Sequence, residues 1–422
     1  MKVFRVSPFV MERLRLLKKK PKLAIRWACY SPFYILRIMQ IEIFLRFIKK
    51  LNPEKMNLFS LDLHISVIRE IKAGFKTFPN VNVVSWSISS HNFVIRKIFK
   101  FADPIRYINA RTWTMLTEEQ VDKFLKRYHR YLNQFDGFIV SYPPSFIQIF
   151  ASLGKPIFVL IPTRYEIPYT SDIASWKKLN QIIVDLQRMG KLLICANSVG
   201  DADYFKFHTG LQIEVVPTVG DYIQCKVKRK TRNNIFFTRS KTLETLIPSM
   251  SKNLWRPAHK VLGSNFKSAD LFASQSVLIV PYNSNTMQMF ELSAIGMPVI
   301  IPSRNFLISL TSDYPNEGIM SEMSLADVYK LSTENLSDDD PNNYKSNLYL
   351  DYWLDRCDFY DKDLMPNVIE IDSFEELLEL DQKLSKVNFE TETNRRNTIL
   401  SGIRRNKLQS FLDLCNSNKV VT

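Results

Sequence analysis

From Lys55 onward, short apolar runs rich in Val, Ile and Phe alternate with longer amphipathic segments. Strands buried on both faces need continuous apolar sequence, so this alternation predicts parallel sheets covered by helices. Strands are predicted at 56–63, 81–88, 137–141, 156–161, 192–196 and 213–216, with a weaker one at Tyr107-Ile108. Helices are predicted at 66–78, 118–133, 146–152 and 176–189. The pattern breaks after Pro217, where Gly220 and the basic run Lys226, Lys228, Arg229, Lys230 and Arg232 mark an exposed linker. A second alternation then predicts strands at 234–237, 260–262, 277–280 and 299–301, a helix at 242–250, and an amphipathic helical tail over 374–414.

The resulting fold class is α/β, with two doubly wound Rossmann-like domains facing a central cleft. Its expected segments are a basic amphipathic N-terminus (1–54), a first domain (55–217), the linker (218–233), a second domain (234–394) and a terminal helix with its tail (395–422). Ligands of open parallel sheets bind beyond the carboxyl ends of the strands. That rule selects Asp62 and His64 after the first strand, Ser89 and His91 after the second, and Tyr142 after the fourth. Thr163, Arg164, Tyr165 and Glu166 follow the fifth strand, and Asn197 the sixth.

The second domain carries one dense segment. Val277 to Val280 reads as a strand, Ser284, Asn285 and Thr286 as a polar turn, Met289 to Ala294 as a short helix, and Val299 to Ile301 as the next strand. Free N–H groups at a helix start favour phosphate. Ser284, Asn285 and Thr286 add side-chain donors, and Glu291 can accept from both hydroxyls of a ribose. Gly296 and Pro298 end the helix.

This segment, with its Glu291 helix and Gly296-Met297-Pro298-Val299-Ile300, resembles the donor-binding signature of GT-B glycosyltransferases. Leu61-Asp62-Leu63-His64, Trp86-Ser87-Ile88-Ser89-Ser90-His91 and Thr163-Arg164-Tyr165-Glu166 resemble segments of an uncharacterised bacterial and viral glycosyltransferase family. The resemblance implies sugar transfer from a nucleotide sugar, a co-substrate rather than a cofactor, to a glycan or glycolipid acceptor. It implies a basic residue for the diphosphate at Arg239, with Lys267 as an alternative, and a last helix from 395 to 414 that crosses back to the first domain.

An inverting transfer needs a base for the acceptor hydroxyl. His91 is the first choice, because its ordinary pKa lies near neutrality; Asp62 and Glu166 compete with it. His64 is placed to orient the base or touch substrate. Arg164 and Tyr165 are assigned to substrate, although an Arg164–Glu166 salt bridge that shapes the loop is an equal reading. Asp338-Asp339-Asp340 is not preceded by an apolar strand and is followed by Pro341-Asn342-Asn343, so it reads as a solvated acidic turn rather than a metal motif.

Composition narrows the remaining classes. With 45% hydrophobic and 12% aromatic residues, the chain of 422 residues can build two cores and is not a disordered protein. Cys29, Cys195, Cys225, Cys357 and Cys415 are far apart and odd in number, which indicates neither a zinc site nor a disulfide scaffold and favours the cytoplasm. The five histidines lack metal-ligand spacing, so no metal is expected. A net charge of +15 calls for an anionic partner. Much of it sits in the first fifty residues, where Lys18, Lys19, Lys20, Lys22, Lys49 and Lys50 flank an apolar stretch containing Trp27, Phe33 and Phe44. Arg37, Glu42 and Arg46 interrupt that stretch and disfavour a spanning helix. It fits a segment lying on an anionic membrane surface or docking on the protein's own body. No nucleic-acid module is present, so nucleic acid is not an expected partner. The rival reading is a catalytically silent scaffold of the same fold that binds an anionic glycan or a membrane.

Overall fold

The computed structural model describes residues 51–88, 105–223, 234–263, 271, 273–321, 327–384 and 387–421. The basic N-terminal segment 1–50, the residues Ser89, His91 and Lys267, and the basic run of the linker lie outside them.

Two parallel sheets organise the chain. The first contains β1 (Met56–Asp62), β2 (Val81–Ser87), β3 (Gly137–Val140), β4 (Ile157–Ile161), β5 (Leu192–Ala196) and β6 (Glu214–Val215), in the order β2-β1-β3-β4-β5-β6. The second contains β7 (Asn234–Phe237), β8 (Trp255–Pro257), β9 (Ser276–Ile279), β10 (Val299–Pro302) and β11 (Val368–Ile371), in the order β11-β10-β9-β7-β8. Every pairing is parallel. The strand order therefore reverses once in each sheet, between β1 and β3 and between β7 and β9. Such reversals leave a crevice beyond the strand ends. The expected α/β class with two doubly wound units is what the chain forms.

The helices follow the same logic of buried stripes. Between the strands of the first sheet run α1 (Ile65–Phe75), α2 (Glu118–Leu132), α3 (Ile173–Arg188) and α4 (Val199–Thr209). In α2 the buried residues Phe124, Tyr128, Tyr131 and Leu132 fall at helical spacing, and Thr117 with Gln120 forms a capping box at its start. The second sheet is flanked by α5 (Lys241–Met250), α6 (Met287–Ser293), α7 (Arg304–Asp313) and α8 (Tyr349–Leu354). The last helix, α9 (Glu390–Val421), begins against the second unit, where Asn397 donates to the Ala294 carbonyl at 2.8 Å. It ends on the first sheet, where Leu408, Phe411, Leu412 and Cys415 pack with Val67, Ile71 and Phe75 of α1 and with Phe158.

Two local expectations are corrected. Residues 260–262 are not a strand: β8 is Trp255–Pro257, and Ala258–Leu262 is helical. Trp255 is fully buried and pairs with Asn234, while Pro257, lacking an N–H, stands where the strand ends and the helix begins. Tyr107-Ile108 forms a turn, with Tyr107 at φ 71°. The tail is helical as expected, in two pieces, Leu377–Leu384 and α9.

Candidate functional site

The two sheets turn their carboxyl ends toward each other. Asn283, beyond β9, donates to the Thr163 hydroxyl beyond β4 at 3.3 Å. Asn285 donates to the Asn197 side chain beyond β5 at 2.7 Å. The loop after β9 thus meets the exits of β4 and β5, and strand-exit residues of both units line this junction.

In the first unit the reversal is occupied by Asp62. It ends β1 and is 1% exposed. The Ser141 hydroxyl, just beyond β3, donates to its Oδ2. Its Oδ1 is buried with no hydrogen-bond partner among the described residues. Burial pushes the carboxyl up to about 7, against the opposing pull of the Ser141 hydroxyl and the backbone of Tyr142 and His64. Removal from water therefore outweighs three hydrogen-bonding influences, and the group is poised to exchange a proton near neutrality. His64 is exposed two residues later, its ring edge-on to Tyr142 at 5.7 Å. Asp62 is in register with Ser87, and its carbonyl accepts from Ile88, so β2 ends beside Asp62.

In the second unit, Arg239 follows β7 and its guanidinium lies 3.6 Å from the centre of the Tyr282 ring, beyond β9. Gly318 passes beneath it with φ +83°, and a Cβ there would stand 2.6 Å from the Arg239 Cβ, so only glycine fits. Glu317 accepts from the Ser240 hydroxyl and the Thr242 amide at the start of α5, and these bonds hold its carboxyl below the usual range. Ser284 is half-buried, its amide bonded to the Asn283 side chain at 2.8 Å. The Thr286 hydroxyl is buried with no partner among the described residues. Glu291 faces the first unit: it accepts from the Tyr222 hydroxyl and from Ser66 at the start of α1, near Arg69. Burial raises its pKa, and Tyr222 and Ser66 oppose the rise.

Arg164, Tyr165 and Glu166 are interior residues. Arg164 is held by both units: its Nη2 donates to the Tyr349 hydroxyl at 3.0 Å, and its guanidinium lies 4.9 to 5.5 Å from the ring centres of Tyr204, Tyr329 and Trp353. Tyr165 is fully buried between Trp176 and Phe205. Burial raises the pKa of Glu166, although Arg164 beside it favours the charged form. His208 lines the same box and is pushed down to about 3 by burial, then by Arg164, so it is neutral at any ordinary pH.

No known family profile and no curated protein matches the sequence. Among solved structures, the chain is similar to the kitacinnamycin glycotransferase over 87% of its length and 99% of that chain, at 13% identity and a TM-score of 0.35. The spinosyn forosaminyltransferase is similar over 86% and 99%, at 8% identity and 0.41. The spinosyn rhamnosyltransferase is similar over 85% and 100%, at 10% identity and 0.38. At these scores the likeness decides nothing about activity, and the fold class rests on the chain's own two sheets.

Four junction residues escaped the sequence reading. Ser141 stands 79 positions from Asp62 and becomes its partner only through the β1–β3 pairing. Tyr222 meets Glu291 from the far side of the junction. Asp201 and Asp358 are both buried, one in α4 and one just after α8. A signal for Asp201 was present: Ser198 caps α4 and donates to the Asp201 carboxylate at 2.7 Å, the Ser-x-x-Asp spacing of a helix start.

Proposed function

We propose that the chain is a GT-B glycosyltransferase that moves a sugar from a nucleotide-sugar donor to a hydroxyl of a glycan or glycolipid. The observation that carries this reading is the shared junction, where the carboxyl ends of two doubly wound sheets meet with Asp62 buried at one reversal. In this reading the acceptor hydroxyl gives its proton to Asp62, its oxygen bonds to the sugar's anomeric carbon, and the bond from that carbon to the diphosphate breaks. The nucleoside diphosphate leaves with the electron pair. Arg239, Ser284 and Thr286 meet its charge, and no metal ion takes part. Glu291 holds the donor ribose, whose hydroxyls take the place of the Tyr222 hydroxyl.

Asp62 is preferred as base because its buried carboxyl, at the β1 exit beside the reversal, exchanges a proton near neutrality. His91, whose ordinary pKa lies near neutrality, is its alternative. The basic segment 1–50 brings the enzyme to an anionic membrane surface, where each Lys or Arg contributes about 1 kcal/mol at low salt. Among the described residues no helix is long and apolar enough to cross a membrane.

The test is a panel of nucleotide sugars carrying uridine, guanosine and thymidine diphosphates. A bound donor raises the melting temperature by mass action, and transfer or slow hydrolysis releases the nucleoside diphosphate. If no donor shifts melting and none is consumed, the chain is the silent scaffold.

A further inference from the structure

Between α7 and β11 the second unit extends an arm, residues 327–361, onto the first. Arg356 of the arm pairs with Asp203 of α4 at 2.8 Å. Tyr329 stacks on Tyr204 of α4 with ring centres 5.7 Å apart, and Tyr349 receives the Arg164 hydrogen bond. Two buried acidic residues belong to this contact, Asp201 from α4 and Asp358 from the arm, each 4% exposed, and Asp358 interacts with the Val199 backbone at the start of α4 and with Asp201.

We propose that the Asp201–Asp358 pair is a proton-operated latch, which closes the arm on α4 while it holds a proton and loosens the contact when the proton leaves. The surroundings show why the pair needs one. Asp201 receives the Ser198 hydroxyl at 2.7 Å and Asn285 at 3.5 Å. Asp358 interacts with the Val199 backbone amide, and its Oδ2 has no partner among the described residues. Two cations face the pair, and both are engaged elsewhere. Arg164, at the β4 exit, is hydrogen-bonded to Tyr349 and shares its charge with Glu166. Arg396 of α9 donates to the carbonyls of Thr218, Val219 and Leu364. Glu166 and Asp361 add like charge from either side, and the Cys357 thiol, with Arg304 of α7 near it, lies beside the pair. Two full negative charges in this setting repel each other with little water to screen them.

Burial raises both carboxyls, Asp201 to about 6 and Asp358 well above the usual range, with like charge from Glu166 adding to the first and from Asp201 and Asp361 to the second. The closed junction therefore binds protons that a solvated one would release. Closure is fully favoured below the ordinary carboxylate pKa and is lost as pH rises through about 6 and beyond. From Asp201 alone, a rise of about two units makes the closed-to-open ratio fall about a hundredfold across that window. His208 is not the sensor, since it stays neutral throughout. The latch belongs to the architecture and would operate in an enzyme or a scaffold alike.

Hydrogen exchange on the full chain at pH 5.0 and 7.5 tests it, with protection corrected for intrinsic rates and referred to β4. Protection across 199–209 and 349–360 should fall by about tenfold or more at the higher pH, the part of the Asp201 effect that lies above pH 5. Asp201→Asn, or the double variant Asp201→Asn/Asp358→Asn if the first does not fold, removes the group to which this fall is assigned and should keep at pH 7.5 most of the protection seen at pH 5.0. Equal protection of the unmodified chain at both pH values, or an undiminished fall in the folded variant, would overturn the latch.

Discussion

Replacing Asp62 by Asn should make the protein more stable at pH 8 and, with Asp62 as the proposed base, strongly reduce sugar transfer. The Asp62 carboxyl lies at about 7 against a starting value of 3.8, a rise of about three units or about 4 kcal/mol. Because the folded state holds this proton more tightly than the unfolded chain, stability from this group is complete below about pH 4 and declines as pH climbs through 7. The same relation makes the burden about 1 to 2 kcal/mol at pH 5 and about 4 kcal/mol at pH 8. An asparagine cannot ionise and escapes both, but its amide needs an acceptor in a pocket built for a carboxyl, at about 1 to 3 kcal/mol. The two effects nearly cancel at pH 5 and leave the variant ahead by about 1 to 3 kcal/mol at pH 8. Urea unfolding at both pH values measures the difference, which should move by about 3 kcal/mol between them. Sugar transfer, assayed on the same preparations, should fall by about two to four orders of magnitude. A stability difference independent of pH would refute the buried, neutral-poised carboxyl. Near-normal transfer would refute its role as base and return attention to His91.

Three further outcomes follow from packing and charge. Arg404→Ala should cost about 3 to 5 kcal/mol in urea unfolding, because it strips the guanidinium from Glu70, which is 1% exposed, and from Asp221. Gly220→Ala should cost about 2 to 5 kcal/mol by the same measurement, since φ is +81° and a Cβ would stand 2.8 Å from the Phe290 carbonyl oxygen. Glu291→Gln should weaken donor binding by about 1 to 3 kcal/mol in a calorimetric titration, the cost of stranding a hydrogen-bonding group, and unchanged affinity would remove the ribose assignment.

What the sequence revealed and what it hid divide along a physical line. The apolar runs of β1, β4, β5, β9 and β10 were legible because a strand buried on both faces requires them, and Asp62 stood out as a polar residue closing such a run. The short edge strand β8 was misplaced by several residues. Its pairing rests on one buried tryptophan and three residues of ladder, too little to outweigh the apolar Val261-Leu262 that follows. The helix α4 was missed because its apolar positions are scattered round the helix: Ala202, Tyr204 and Phe205 are buried while Val199 and Phe207 are exposed. Arg164 and Glu166 were visible as charged residues at a strand exit, but their burial depends on Tyr329, Tyr349 and Trp353, more than 160 positions away. Local pattern records which residues leave a sheet, while only the folded chain records what meets them.

That distinction bears on how a donor would reach the site. The two units are joined by more than a linker. Arg404 of α9 clasps Glu70 and Asp221 together, and Glu70 in turn accepts the amides of Val219 and Gly220 at 2.9 Å each. Arg396 of the same helix holds the carbonyls of Thr218 and Val219. The chain segment between the sheets is thus fixed along one side of the junction by buried, charge-assisted hydrogen bonds, which are about twice as strong as neutral ones. The arm adds a second contact, with α4, and this one contains two buried acidic residues, Asp201 and Asp358, that repel when both are ionised. Opening is therefore easiest at the arm, with 218–221 and α9 as the fixed edge. Such an opening would expose Asn283, Asn285 and Thr286 together, because Asn285 touches Asp201 and Asn197 on the face where the arm meets α4.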